Sequence, residues 1–495
     1  MTDALTSVRI DAPVDEIRHW INGRAVPSLS GAHRVGTDPA TGGPGADVAL
    51  GTADDVDAAV RAACDAAWAW RKIASADRAR ILWDIGRLIR RDLDELVGLE
   101  IRDTGKPLES ARAEVRGAAE YFEFYAGLVN LPAGDIIDVV PTQHVYTLRE
   151  PYGVVGVITP WNLPINQAAR AAAPALAASN VIVVKPAETT SRTTTALARL
   201  ATEAGIPDGV FNVVLGKGSE AGSALVEHPL IRKLVFTGSV AVGQSIGRVA
   251  ADRILPLTLE LGGKSANIVF EDADLDFAAT EAVRAFTTNA GQVCSSGTRL
   301  LVQRSIHDEF VRAVVDATER LRVGEDFGPL ITRDQYETVL SYFDIAQGEG
   351  ATLVTGGDRP TADTLEDGFY VNPTIYTQVD NSMRIAREEI FGPVLVVIPF
   401  DTEDEAIAIA NDSDFGLVGG VWTEDLSRTL RVSEAIEAGQ IYVNTWSTAA
   451  VQTPFGGQKA SGYGREKGIE ALNHYTQLKS VTISLGPSRA VQAVE

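Results

Sequence analysis

Two groups in this chain have the types needed for covalent chemistry at a carbonyl carbon. Cys294 closes the run Asn289-Ala290-Gly291-Gln292-Val293-Cys294 and is one of two cysteines in 495 residues. Glu260 lies about thirty residues earlier, in Leu259-Glu260-Leu261-Gly262-Gly263-Lys264. A thiol nucleophile and a carboxylate base, each beside glycines that let backbone approach a ligand, are the parts such a reaction requires. Ser295, Ser296 and Gly297 leave room for a substrate at the thiol. Glu260 ends the strand-like run Ile254–Leu259, which predicts a semi-buried carboxylate with a pKa raised toward the range that accepts a proton from water. Asn162 sits in Pro160-Trp161-Asn162-Leu163-Pro164, a proline-bracketed turn that could aim its amide at a developing oxyanion or serve only the turn. Cys64, in an alanine-rich stretch, reads as a small buried hydrophobe.

Elements of two kinds must position these groups. From Ala53 to about Ala126, apolar residues such as Val56, Val60, Ala63, Ala67 and Trp70 recur every three or four positions, which predicts three consecutive helices with Asp54 capping the first. After Pro151 the pattern becomes β-branched runs at Val154–Ile158, Val181–Val184, Val210–Val214 and Lys233–Phe236, separated by helical stretches such as Gln167–Ala178. This predicts a parallel α/β sheet whose strand ends carry Pro160-Trp161-Asn162, Lys185-Pro186-Ala187-Glu188 and Thr237-Gly238-Ser239 to one ligand-binding edge. The Gly238–Gly243 segment opens a helix and could face a phosphate, although it lacks the GxGxxG spacing. Lys185 and Glu188 could grip ribose hydroxyls, and a carboxylate there would repel a 2′-phosphate. From about 265 to 439 a second alternating region, with strands at Ser296–Gln303 and Val394–Pro399 and a helix at Glu403–Ala410, predicts a second α/β unit. Gln143–Glu150 and the tail Lys479–Ile483 could pair as an edge sheet.

Composition excludes several classes. Sixty-six acidic against 44 basic residues, a net charge of −22, disfavour nucleic acid and anionic membranes as partners. Two cysteines build no disulfide framework, the N-terminal stretch Met1–Glu16 lacks a signal-peptide pattern, and no apolar run is long enough for a membrane span, so a cytoplasmic protein is expected. No metal-ligand motif is apparent.

The chain resembles the NAD(P)-dependent aldehyde dehydrogenases over nearly its whole length. The motifs in order are Pro160-Trp161-Asn162, Lys185-Pro186-Ala187-Glu188, Phe236-Thr237-Gly238-Ser239, Leu259-Glu260-Leu261-Gly262-Gly263-Lys264, Gly291-Gln292-Val293-Cys294, Glu388-Glu389-Ile390-Phe391-Gly392-Pro393 and Pro454-Phe455-Gly456-Gly457. The resemblance implies an α/β fold with a Rossmann-like cofactor-binding domain (1–129 and 152–262), an α/β catalytic domain (263–478) and a small β oligomerisation arm (130–151 and 479–495), assembled as a homodimer or homotetramer. It implies Cys294 as nucleophile, Glu260 as general base and Asn162 as oxyanion donor, with thioester formation and hydrolysis to a carboxylic acid. It also implies NAD as cofactor, preferred over NADP. Lys185 and Glu188 would hold the adenosine ribose, Ser239 the pyrophosphate and Glu389 the nicotinamide ribose, with Phe391 near the nicotinamide. Ile158, Thr159, Pro160, Trp161, Gly218, Gly222, Phe236, Thr237, Gly238, Val242, Leu261 and Gly262 complete the implied cofactor site, and Glu466 is an implied proton relay.

Arg170, eight residues after Asn162, is similar in position to the carboxylate-binding arginine of succinate-semialdehyde dehydrogenases, which implies an aldehyde with an anionic tail. An ion-paired arginine is the competing reading. Thr288 departs from those relatives, which carry an arginine there. Tyr121, Phe122, Phe124, Tyr125 and Trp446 could instead line a tunnel for aliphatic or aromatic aldehydes, the broad-specificity alternative, or simply pack helices. An acylating, coenzyme A-dependent relative would lack Glu260, and a crystallin-like protein would keep the fold without turnover. The segment Arg322–Pro329 is shortened relative to many members and is expected to lie away from the chemistry.

Overall fold

The computed structural model describes residues 15–131, 133–446 and 450–486. Residues 1–14 of the expected cofactor domain and 487–495 of the expected arm lie outside the described residues. Two large sheets dominate the α/β fold.

The first sheet has at its centre five parallel strands, in the spatial order Leu257–Glu260, Lys233–Thr237, Val154–Ile158, Val181–Lys185 and Phe211–Val213. Helices cover both faces, so these strands are runs of buried Val, Ile and Leu rather than alternating patterns. Chain order reverses direction at Val154–Ile158, which is flanked by one later strand on each side; that reversal opens a crevice at the strand ends. The second sheet contains Thr352–Thr355, Thr374–Thr377, Val394–Phe400, Arg299–Gln303, Ala266–Val269, Val418–Trp422 and Gln440–Val443, parallel except for the first. A small sheet pairs Gln143–Pro151 with Thr476–Ser484 in an antiparallel register of nine residue pairs.

Local differences from the sequence expectations have physical causes. Residues 53–126 form four helices, Ala53–Lys72, Ser75–Arg91, Leu93–Thr104 and Leu108–Ala126, where three were expected. The joint at Asp92 is a single residue, too short to interrupt hydrophobic periodicity. The first helix is capped at Thr52, whose N–H donates to the Asp55 carboxylate at 2.9 Å; Asp54 takes no part in the cap. Cys64 is half-buried rather than enclosed. Strand Gly462–Tyr463 pairs with Leu257–Glu260, and Ala471, Leu472 and Tyr475 pack into the first sheet's core. Residues 462–475 thus return from the second unit to brace the first.

Candidate active site

Cys294 lies at the end of a loop held in costly backbone. Asn289, Ala290 and Gly291 have φ of +53°, +56° and +71°, a left-handed conformation that non-glycine residues keep only when their surroundings impose it. Gln292 supplies much of that constraint. Its fully buried amide donates to the carbonyls of Asn289 at 2.9 Å and Pro329 at 3.3 Å, and its Oε1 accepts from the Ile331 N–H at 2.9 Å. The Arg322–Pro329 segment therefore ends against the catalytic loop, contrary to the expectation that it lies apart. Gly291 is required because a Cβ there would sit 2.2 Å from the Gly392 carbonyl oxygen.

Asn162 reaches the same loop. Its Nδ2 donates to the Gln292 carbonyl at 2.8 Å, which leaves a second N–H on that nitrogen for another acceptor. Its own backbone carbonyl accepts from Asn289 Nδ2 at 3.0 Å and from Lys106 Nζ at 3.1 Å. Lys106 is buried and ion-paired to Glu114, with Glu100 3.6 Å away.

Glu260 is only 2 % exposed, deeper than semi-buried, and neither carboxylate oxygen has a partner among the described residues. Burial, reinforced by the nearby Glu466 carboxylate, pushes its pKa well above the usual range, against the pull of Arg170, Arg465 and Lys467. Burial likewise pushes the Cys294 thiol up to about 11, opposed mainly by Arg170. Cys294 is thereby held mainly as the thiol near pH 7.

A cavity of about 640 Å³ opens beside Cys294. One wall is a face of helix Pro164–Ala177, which presents Asn166, Gln167 and Arg170 at three- and four-residue spacing. The opposite wall is helix Leu108–Ala126, which presents Glu114, Gly117 and Tyr121. Thr288 and Arg170 line it as expected. Phe124 and Trp446 do not. Phe124 packs edge-on against Tyr125, while Trp446 lies beneath Gly297 and Gly420, where a Cβ would collide with its ring. Of the helix aromatics Tyr121 alone reaches the cavity, which Tyr442 and Phe455 also line.

Arg170 is ion-paired through Nε to Glu466, so the proposed tail clamp and proton relay meet each other. Although burial opposes its charge, Glu466 holds the guanidinium well above its ordinary pKa, and Nη2 lacks a partner among the described residues. Lys467, unmarked in the sequence reading, also lines the cavity; burial draws its ammonium down to about 8.

The expected cofactor residues gather at the first sheet's strand ends. The Thr159 N–H donates to the Lys185 carbonyl at 3.2 Å, and Thr159 Oγ1 is buried without a partner among the described residues. Burial draws Lys185 down to about 8, and Gly222 brings backbone within contact of its side chain, whereas Gly218 is exposed. Glu188 accepts from Arg34 at 2.9 Å, an ion pair the sequence reading missed. Ser239 caps helix Val240–Arg253 by accepting from the Val242 N–H, and Gly238 abuts Phe236. Glu389 accepts from the Gly263 N–H at 3.0 Å, and a Cβ on Gly262 would lie 2.1 Å from its carboxylate. Burial raises Glu389 to about 7. Phe391, at φ +56°, stands edge-on to Trp161, with Gln335 donating to the Ile390 and Phe391 carbonyls. Among the described residues no cluster of His, Cys, Asp and Glu could hold a metal ion.

Comparisons with known proteins agree with this fold. The aldehyde dehydrogenase family model matches residues 30–481. A betaine aldehyde dehydrogenase from Staphylococcus aureus, in complex with NAD+, is 38% identical with a TM-score of 0.93, covering 97% of this chain and 96% of its own. An aldehyde dehydrogenase from Bacillus cereus, also an NAD+ complex, is 40% identical with a TM-score of 0.93, covering 95% of this chain and 97% of its own. This chain belongs to the aldehyde dehydrogenase family.

Proposed function

We propose that the protein oxidises an aldehyde with an anionic tail to its carboxylic acid, using NAD in preference to NADP. The observation that carries this reading is the single cavity joining Cys294 to Arg170, whose buried Nη2 awaits an acceptor. A tail carboxylate, sulfonate or phosphate supplies one. A quaternary ammonium tail is disfavoured, because Phe455, a ring that could receive it, already meets Arg170 at 4.7 Å and Lys467 at 5.2 Å. Tyr121, Tyr442 and Phe455 favour a second reading, oxidation of apolar aldehydes generally.

The Cys294 thiol gives up its proton to solvent, its sulfur bonds to the aldehyde carbon, and the developing oxyanion accepts from Asn162 Nδ2. Bound NAD supplies the acceptor for the hydride whose departure leaves a thioester on Cys294. Glu260 then takes a proton from the water that attacks the thioester, releasing the acid and restoring the thiol. The residues present fit the cofactor: Thr159 Oγ1 is buried without a partner among the described residues, Gly262 admits Glu389, and Lys185 and Glu188 would hold the adenosine ribose. Arg34 balances Glu188, so Glu188→Ser should release a guanidinium toward a 2′-phosphate and raise kcat/KM for NADP about tenfold. An unchanged cofactor ratio would count against the role of Glu188.

The reading extends to a cytoplasmic homo-oligomer, dimer or tetramer, joined through the arm, on which Ile136 and Leu478 are exposed apolar residues. Among the described residues no helix is long and apolar enough to cross a membrane. The central test compares reduced-cofactor formation from succinic semialdehyde and from butanal, in wild type and Cys294→Ala. Higher kcat/KM for the acid aldehyde, and loss of at least about 10⁴-fold in the variant, are expected. Equal use of both aldehydes would leave only the general activity.

A further inference from the structure

Among the described residues four cations line the cavity: Lys106 and Arg284 are ion-paired to Glu114 and Glu281, and the surroundings of Arg170 and Lys467 differ. Arg170 is neutralised by Glu466. Lys467 has no ion-pair or hydrogen-bond partner for Nζ among the described residues, and its ammonium stands over the Phe455 ring at 5.2 Å. The neighbouring Glu260 carboxyl makes no hydrogen bond or ion pair with it either. The acidic side chains Glu109 and Glu120 sit at the exposed mouth, where solvent screens them.

The backbone presents Lys467 deliberately. Its φ of +59° is a left-handed conformation that costs a lysine of order 1 kcal/mol or more. Contacts on both sides impose it. Phe455 and Glu466 exchange two backbone hydrogen bonds of 2.7 Å, the Gly468 N–H donates to the Val451 carbonyl at 2.8 Å, and Tyr125 Oη donates to the Gly468 carbonyl at 2.9 Å. The same residues that pin this turn, Val451 and Phe455, line the cavity. A strained lysine aimed at the pocket, without an internal anion, implies an anion supplied from outside.

We infer that Lys467 receives the anionic end of the molecule that reacts at Cys294, together with the open Nη2 of Arg170. The assignment deepens the anionic-tail reading and rests on it for the natural substrate. Its test does not require turnover. Iodoacetate and iodoacetamide alkylate a thiol with loss of iodide and differ in a carboxylate against an amide. Their rates at Cys294, followed by peptide mass spectrometry so that Cys64 is scored separately, give a ratio independent of thiol reactivity. Lys467→Gln should lower the iodoacetate-to-iodoacetamide ratio about tenfold, and Lys467→Arg should restore much of it. A ratio unchanged in Lys467→Gln overturns the inference, including the case in which both rates fall equally because Lys467 serves only the thiolate. Kinetics with succinic semialdehyde and butanal separate the two claims. No acid preference in wild type sinks the anionic-tail reading alone, whereas a preference that survives in Lys467→Gln sinks the role of Lys467 alone.

Discussion

Two buried charged clusters flank the catalytic loop, and they are finished differently. Behind Asn162, Lys106 pairs with Glu114, lies near Glu100 and donates to the Asn162 carbonyl, so the lysine's donors are spent inside the protein. Beside Cys294, Glu260 has no partner among the described residues, Arg170 keeps Nη2 free and Lys467 faces the cavity. The first cluster holds backbone in place, and the second leaves polar groups for a substrate and a water. Buried oxygens of Glu100 and Glu114 also lack partners among the described residues, so the contrast lies in the cations: Lys106 is spent on Glu114 and backbone, whereas Arg170 keeps Nη2 open beside the cavity.

Three substitutions test that contrast. Glu260→Gln should slow turnover about 10² to 10⁴-fold while a rapid first equivalent of reduced cofactor persists, because acylation needs no water activation. Loss of that burst would place Glu260 before the thioester instead. Lys106→Met should cost about 3 to 5 kcal/mol of stability by leaving Glu114 unpaired, read as a lower denaturation midpoint. A stable variant with altered catalysis only would erase the distinction between the clusters. Glu466→Gln should have the smallest effect. It removes a negative neighbour that raises Glu260 and frees Arg170, which lowers it. Both changes favour the ionised carboxylate, so the acidic limb of the deacylation profile should move to lower pH. An upward shift would show that Glu466 acts on Glu260 by some other route.

Much of this was legible in the chain itself. The buried parallel strands announced themselves as β-branched runs, and Asn162, Glu260 and Cys294 stood in motifs at strand ends and turns. Helix joints were less legible, since the single residue Asp92 breaks a helix without disturbing its periodicity. Gln292 was read as a flanking residue, yet it is the peg of the loop, because its partners Pro329 and Ile331 are brought up only by the second sheet. Lys467 carried no signal at all beyond its place after Glu466. A lysine in a polar segment reads as solvated until the fold turns it inward.

The sequence by itself determined which candidate reaction parts exist: a thiol, a carboxylate, an amide donor and strand ends suited to a dinucleotide, because local composition dictates strands, turns and close backbone approach. The tertiary structure alone decided their electrical state and their company. Pairing Arg170 with Glu466, burying Glu260, placing Trp446 under the glycines and leaving Lys467 open to the cavity all depend on segments distant in the chain. Burial and charge are properties of packed neighbours, and no residue carries them alone.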